Sequence, residues 1–216
     1  QTFATSSSGT VSSANCSFNN MVISKAGGNL TVGSNFTAVS SLNITSGTLQ
    51  YTGTARTVTV SGDLSGAGAI NMTGIAGNTL ILNGSTNSLG SLTTVTGNTI
   101  SYLRAGDQTI FGSLNYAKLN IGGSGIKTLG GNVEVNETIT FSAAVLLSLA
   151  SSDLTLGATG TLISSSGAFG LTKMIVTDGA GTFKKEGTTA AHFSAFVTQT
   201  PASTGLYPLG TTGYFS

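Results

Sequence analysis

The sequence predicts an all-β fold, a parallel β-helix (solenoid) closed by a C-terminal cap or the start of a small β-domain. Three observations carry this expectation. Apolar residues alternate with small polar ones in short runs that recur about every 7–12 residues, each closed by Gly, Asn or Ser. Hairpin dipeptides are scarce for so many runs, with one Asn-Gly at 83–84 and one Asp-Gly at 178–179. Finally, LNITSGTLQY (42–51) is echoed by LTLGATGTLIS (154–164), and echoes of single strands indicate stacked coils rather than paired hairpins.

Composition agrees. Only 7% of the 216 residues are charged, whereas Ser and Thr number 29 and 35 and Gly 31. Polarity therefore comes from hydroxyls, amides and backbone. A hydrophobic content of 39% leaves enough apolar surface to rule out disorder. Thr, Val and Ile suit pleated strands, and Gly suits the corners between them. The net charge of +1 is spread singly apart from Lys184-Lys185. No basic stripe could follow a phosphate backbone, so nucleic acid is not an expected partner. No apolar run reaches the roughly 18–20 residues needed to span a bilayer.

Residues 1–20 offer only Phe3, Val11 and Phe18 as anchors and read as a loose arm or edge strand, so 1–28 is expected to form an N-terminal arm or cap strand. The chain opens on Gln1, as a processed mature chain would. Cys16 has no cysteine partner and is expected to be a small buried residue or free thiol. Residues 29–170 are expected to form the solenoid. Its inward pairs are Leu30/Val32, Leu42/Ile44, Leu49/Tyr51, Val58/Val60, Ile70/Met72, Leu80/Leu82, Ile100/Tyr102 and Leu119/Ile121. A coil of two or three strands holds about 20–25 residues, so this span would hold roughly six or seven coils about 4.8 Å apart. FSAAVLLSLA (141–150) is expected to be one buried strand or a short turn of helix. The texture changes after residue 171, where both prolines, the only His and a phenylalanine cluster (Phe183, Phe193, Phe196) fall. This stretch, 171–216, is expected to be a β cap or the beginning of a further β-domain. GYFS ends inside a strand-like run, so the chain is expected to be a piece of something longer.

Residues able to carry chemistry are few. His192 has no Cys or carboxylate close by and is expected in a turn. Asp63, Asp107 and Asp153 are spaced such that stacking could bring them together on one wall, where two carboxylates could act on a glycosidic bond. Glu134 and Glu137, three apart in a strand, are expected on opposite faces. GGSGIKTLGG (122–131) has Lys127 where a calcium-binding turn needs Asp, and Thr128 where a dinucleotide fingerprint needs Gly, so its glycines are expected to make turns. Tyr51, Tyr102 and Tyr116 fit inward positions, leaving Tyr207 and Tyr214 free for stacking on sugars. Seven Asn-x-Ser/Thr sequons occur (Asn15, Asn29, Asn35, Asn43, Asn71, Asn83, Asn136), only slightly more than composition alone produces. No catalytic, cofactor-binding or metal-ligating residue is expected, and no cofactor.

One stretch resembles a known pattern. Gln108-Thr109-Ile110, Tyr116 to Ile121, Gly125 to Leu129 and Val133 to Ile139 resemble a repeat unit of large secreted surface proteins of Bacteroidota. MIVTDGAGTFKK (174–185) and YPLGTTGYFS (207–216) are similar to the segment that follows that unit. The resemblance covers about 98–216 and is only textural before that. It implies export by the type IX route, an extracellular or outer-surface location, and a role as adhesin or matrix component. The sorting domain that such proteins carry at the C-terminus is missing from this sequence. The expected function is thus a non-enzymatic, adhesin-like surface protein that presents a neutral Ser/Thr/Asn-rich wall. Two alternatives are a filament or sheath subunit joined by end-to-end strand pairing, and a β-helix enzyme that degrades polysaccharide. Expected partners are other copies of the chain or neighbouring domains of a longer one, surface glycans, and the secretion machinery during export. Residues 1–25 or Tyr207–Ser216 are the expected pairing ends, because strand edges with few charges invite a further strand.

Overall fold

A computed structural model describes residues 1–112, 114–187 and the backbone of 209–210. All its regular elements are strands, and the chain divides into two compact units, 1–104 and 105–216. Each unit is a parallel β-solenoid, as the short alternating runs and scarce hairpins predict.

The first unit holds β1 (Thr2–Phe3), β2 (Gly9–Val11), β3 (Cys16–Val32), β4 (Phe36–Tyr51), β5 (Thr57–Val60), β6 (Asp63–Ser65), β7 (Ala69–Asn71), β8 (Thr79–Leu82), β9 (Ser91–Thr93) and β10 (Thr99–Tyr102). They form three walls. One stacks the start of β3 on β4, β5, β8 and β10. A second runs β1, the middle of β3, β4 and β6. The third runs β2, the end of β3, β4, β7 and β9. Strands β3 and β4 are long because each turns the corners of a whole coil, with register shifts near Phe18 and Ser24 marking the bends. The stretch 1–28, read from sequence as an arm or cap strand, carries β1, β2 and most of β3.

The second unit repeats the plan with β11 (Gln108–Ile110), β12 (Leu114–Ile121), β13 (Ile126–Leu129), β14 (Val133–Phe141), β15 (Leu146–Ser148), β16 (Leu154–Leu156), β17 (Thr161–Ser164), β18 (Met174–Val176), β19 (Phe183–Lys185) and β20 (Leu209–Gly210). Its walls are β11-β13-β15-β18-β20, then β12-β14-β16-β19, and the far halves of β12 and β14 with β17. FSAAVLLSLA divides between the end of β14 and β15, with a turn at Ala150, whose φ is 49°.

Partners in register lie 19 to 23 residues apart through most of the chain, as with Leu30 and Leu49 or Ile139 and Leu162. That is close to the coil length expected from the strand spacing. After β15 the coil grows: Leu146 pairs with Met174 and Leu154 with Phe183, 28 and 29 residues on. The extra residues form an excursion at 165–173, which ends in a tight turn closed by an antiparallel bridge between Gly170 and Lys173.

Inward side chains stack like on like. Leu30, Leu49, Ile70 and Leu92 follow one another in register, as do Val58, Leu80 and Ile100, and all are buried. Each contributes about 1.5–3 kcal/mol on leaving water. Tyr51, Tyr102 and Tyr116 are wholly buried among them, as alternation predicts. Burial pushes the Tyr51 hydroxyl far above the ordinary tyrosine range. Outward positions form rows of hydroxyls and amides: Thr57, Thr79 and Thr99 on one wall, and Thr10, Thr31, Gln50, Asn71 and Thr93 on another.

Where a wall ends the ladder stops, and glycine lets neighbouring coils meet. A Cβ on Gly62 would lie 1.7 Å from the Ser40 carbonyl oxygen, whereas Gly53, at φ 78°, has open space around it. Gly53→Ala is expected to cost about 1–2 kcal/mol, the ordinary left-handed penalty. Gly62→Ala is expected to cost more than about 4 kcal/mol, because backbone must move. Urea denaturation of the two variants checks the order, and equal midpoints would contradict the close approach of these coils.

Candidate functional site

The charged side chains show how the solenoid uses its scarce chemistry. Four aspartates bracket one coil to another at corners where the ladder lapses. Asp63 Oδ1 accepts from the Ser85 hydroxyl and Thr86 N–H, and Asp107 Oδ1 accepts from Ile126 N–H at 2.8 Å. Asp153 Oδ1 accepts from Thr182 through both N–H and hydroxyl, and Asp178 accepts from Ser148 Oγ and Ala150 N–H. Asparagines do the same work: Asn35, Asn78 and Asn132 accept N–H bonds from Thr57, Arg56 and Asp153.

Lysines complement the orphan carbonyls. Lys127 lies inward on β13, in register with Gln108, and is fully buried. Its Nζ donates to the carbonyls of Gly106 (2.7 Å) and Ser124 (2.9 Å). Lys25 Nζ holds Thr5 Oγ1 and the Ser7 carbonyl. Lys173 Nζ gathers Ser164 Oγ, the Ser166 carbonyl and hydroxyl, and the Gly167 carbonyl at the root of the excursion. Lys185 Nζ donates to the Gly157 and Ala158 carbonyls. A buried ammonium is tolerable here because several carbonyl dipoles replace its water. Sequence reading placed Lys127 in a turn motif and missed this role. The flanking glycines do turn, with φ of 75° at Gly123 and 73° at Gly125.

Within the second unit, Asp107 and Asp153 do not share a wall. Asp107 precedes β11 on one wall and Asp153 precedes β16 on another, each held by its own corner. Asp63 belongs to the first unit, at the start of β6. His192, Tyr207 and Tyr214 lie outside the described residues. Cys16, at the start of β3, is a partly exposed free thiol. Among the described residues no three His, Cys, Asp or Glu side chains come together to hold a metal, and no helix is long and apolar enough to cross a membrane.

Glu134 and Glu137 were expected on opposite faces, and the structure corrects this. Two residues of β14, Asn136 and Glu137, stand against the single Ala117 of β12, so the alternation slips at this corner. Both glutamates therefore reach the outer surface, and Glu137 lies 3.7 Å from Lys118.

Among the described residues, an open depression of about 380 Å³ lies on the second unit. Leu114, Asn115, Asn132, Val133, Glu134, Asp153, Thr155 and Lys184 line it. Register explains the gathering: Asn115, Glu134, Thr155 and Lys184 follow one another across four coils. Asn132 and Asp153 sit one residue before their strands β14 and β16, where Asp153 N–H bonds Asn132 Oδ1. Lys184 Nζ meets Asp153 Oδ2 at 2.6 Å. Sequence reading weighed Asp153 against Asp63 and Asp107 but not with Glu134. Stepping one coil of 21 residues from Asn132 to Asp153 and from Glu134 to Thr155 is the signal that assembles this set.

Comparison with protein-family models, with curated proteins and with solved structures returned no match.

The Lys184 hydrogen bond first, then the Thr182 hydroxyl and N–H, lowers the Asp153 carboxyl to about 2. Because the folded value lies below the ordinary 3.8, the bracket's contribution to stability is complete above about 3.8 and is lost as pH falls through about 2. An NMR titration of the Asp153 carboxyl carbon is expected to show a midpoint near 2. In Lys184→Met the midpoint is expected to rise toward the ordinary range, and an unmoved midpoint would remove Lys184 as the main cause.

Proposed function

We propose that this chain is a non-enzymatic structural module of an exported surface protein, adhesin-like, which offers neutral walls to its surroundings. One observation carries the reading. The charged groups an enzyme would converge on a substrate are committed here to holding coils together: four of the seven acids bracket corners, and four of the eight cations bind corner carbonyls. What remains outward is largely hydroxyl and amide, in rows repeated at the coil spacing of about 4.8 Å. Such a stack is stiff, so its surface meets a partner at little cost in ordering.

The resemblance of 98–141 to repeat units of secreted Bacteroidota surface proteins supports an extracellular or outer-surface location and export by the type IX route. Surface glycans and neighbouring domains or copies are the partners this reading favours.

Incubation with a panel of polysaccharides, followed by assay of new reducing ends, tests the absence of catalysis. No release above a buffer control is expected. Turnover that disappears in a Glu134→Gln or Asp153→Asn variant would show that an enzyme had been taken for a scaffold.

A further inference from the structure

The row crossing the depression of the second unit differs from the uncharged Thr57 and Thr10 rows of the first. Asn115, Glu134, Thr155 and Lys184 stand in one register line. Among the described residues the Glu134 carboxylate has no hydrogen-bond or ion-pair partner, and neither has the Thr155 hydroxyl. Lys184 is already bound by Asp153 and remains 56% exposed, so its other N–H groups face solvent. Asn132 spends its Oδ1 on Asp153 N–H, which leaves its NH₂ group as a donor. Leu114 and Val133 form its floor but are themselves buried in the core.

Charge and hydrogen-bonding capacity narrow the ligand. Glu134 and Asp153 against Lys184 leave the depression with one net negative charge, which opposes phosphate, sulfate or uronate. The groups left over include an acceptor (Glu134), donors (Lys184, Asn132) and one that is both (Thr155), at steps of about 4.8 Å along the stack. A ligand whose groups each donate and accept, and which brings no charge, satisfies all of them. Chains of sugar hydroxyls have that character. We propose that this depression binds a neutral glycan, with Glu134 accepting from its hydroxyls and Thr155 and Lys184 donating to them. The proposal rests on the surface-module reading and gives that module a specific contact.

The test titrates the full chain in metal-free buffer with short neutral oligosaccharides of glucose, mannose, galactose and N-acetylglucosamine. Oligogalacturonate serves as the charged contrast. Binding is followed by calorimetry and by amide chemical shifts, for the native chain and for Glu134→Gln and Thr155→Val. Both side chains lie outside the core, and an unchanged thermal midpoint confirms that each variant is folded. At least one neutral oligosaccharide is expected to bind and to shift amides of β14 and β16. Glu134→Gln is expected to weaken it about tenfold, the loss of a hydrogen bond to a charged group, and oligogalacturonate is expected not to bind. No binding by any neutral oligosaccharide would overturn the proposal. So would binding undiminished in both variants, although a glycan-adhering surface module would then stand with its contact elsewhere. Cleavage of a bound oligosaccharide would instead overturn the non-enzymatic reading while leaving the site in place.

Discussion

Hydrogen bonding of each coil's backbone to the next is the constraint that the rest of this chain serves. Along a wall the parallel ladder meets it without help from side chains, as in the unbroken run of Thr79 to Leu82 against Thr99 to Tyr102. At corners the strands diverge, and every N–H and C=O left there needs another partner. Aspartate and asparagine oxygens take the N–H groups, and lysine ammonium groups take the carbonyls. Gly62 serves the same end by letting the Ser40 carbonyl come close.

This division of labour accounts for the low charge of the sequence. Few ionisable residues are needed when most of the surface is hydroxyl and amide, and eight of the fifteen present bind backbone groups at corners. Lys25, Lys127 and Lys173 are each almost fully buried, and each donates to backbone carbonyls at a corner. Their methylene stems pack with the core while the ammonium reaches the corner, so one side chain serves both apolar filling and hydrogen bonding. The carboxylates most open to a ligand are those outside the brackets. Glu134, with no such duty, therefore stands out.

The fold was legible in the sequence because alternation and scarcity of hairpin turns are properties of single strands, visible without knowing what lies beside them. Pairs such as Leu49/Tyr51 and Ile100/Tyr102 are buried where alternation puts them. Corners were harder. The Asn136–Glu137 slip sends both glutamates outward, and no count by twos anticipates an added residue. The inward Lys127 was hidden for a similar reason, since a lysine beside glycines looks like a turn until its ammonium is seen on Gly106 and Ser124. The depression was hidden by arithmetic: its residues are neighbours only once the coil length near 21 is known, and that length drifts from coil to coil.

That drift has an evolutionary consequence. Between β15 and β18 the chain spends 28 residues where other coils spend about 20, yet the registers of β15 on β18 and β16 on β19 are intact. Rise along the stack is thus independent of contour length, and lengthening a corner costs only loop entropy, about 0.6 kcal/mol per doubling. A lineage carrying such a fold can insert, delete and diversify at its corners while its walls keep their spacing. The 165–173 excursion is the natural place for an engineer to do likewise, grafting a foreign epitope onto a scaffold that already tolerates one detour.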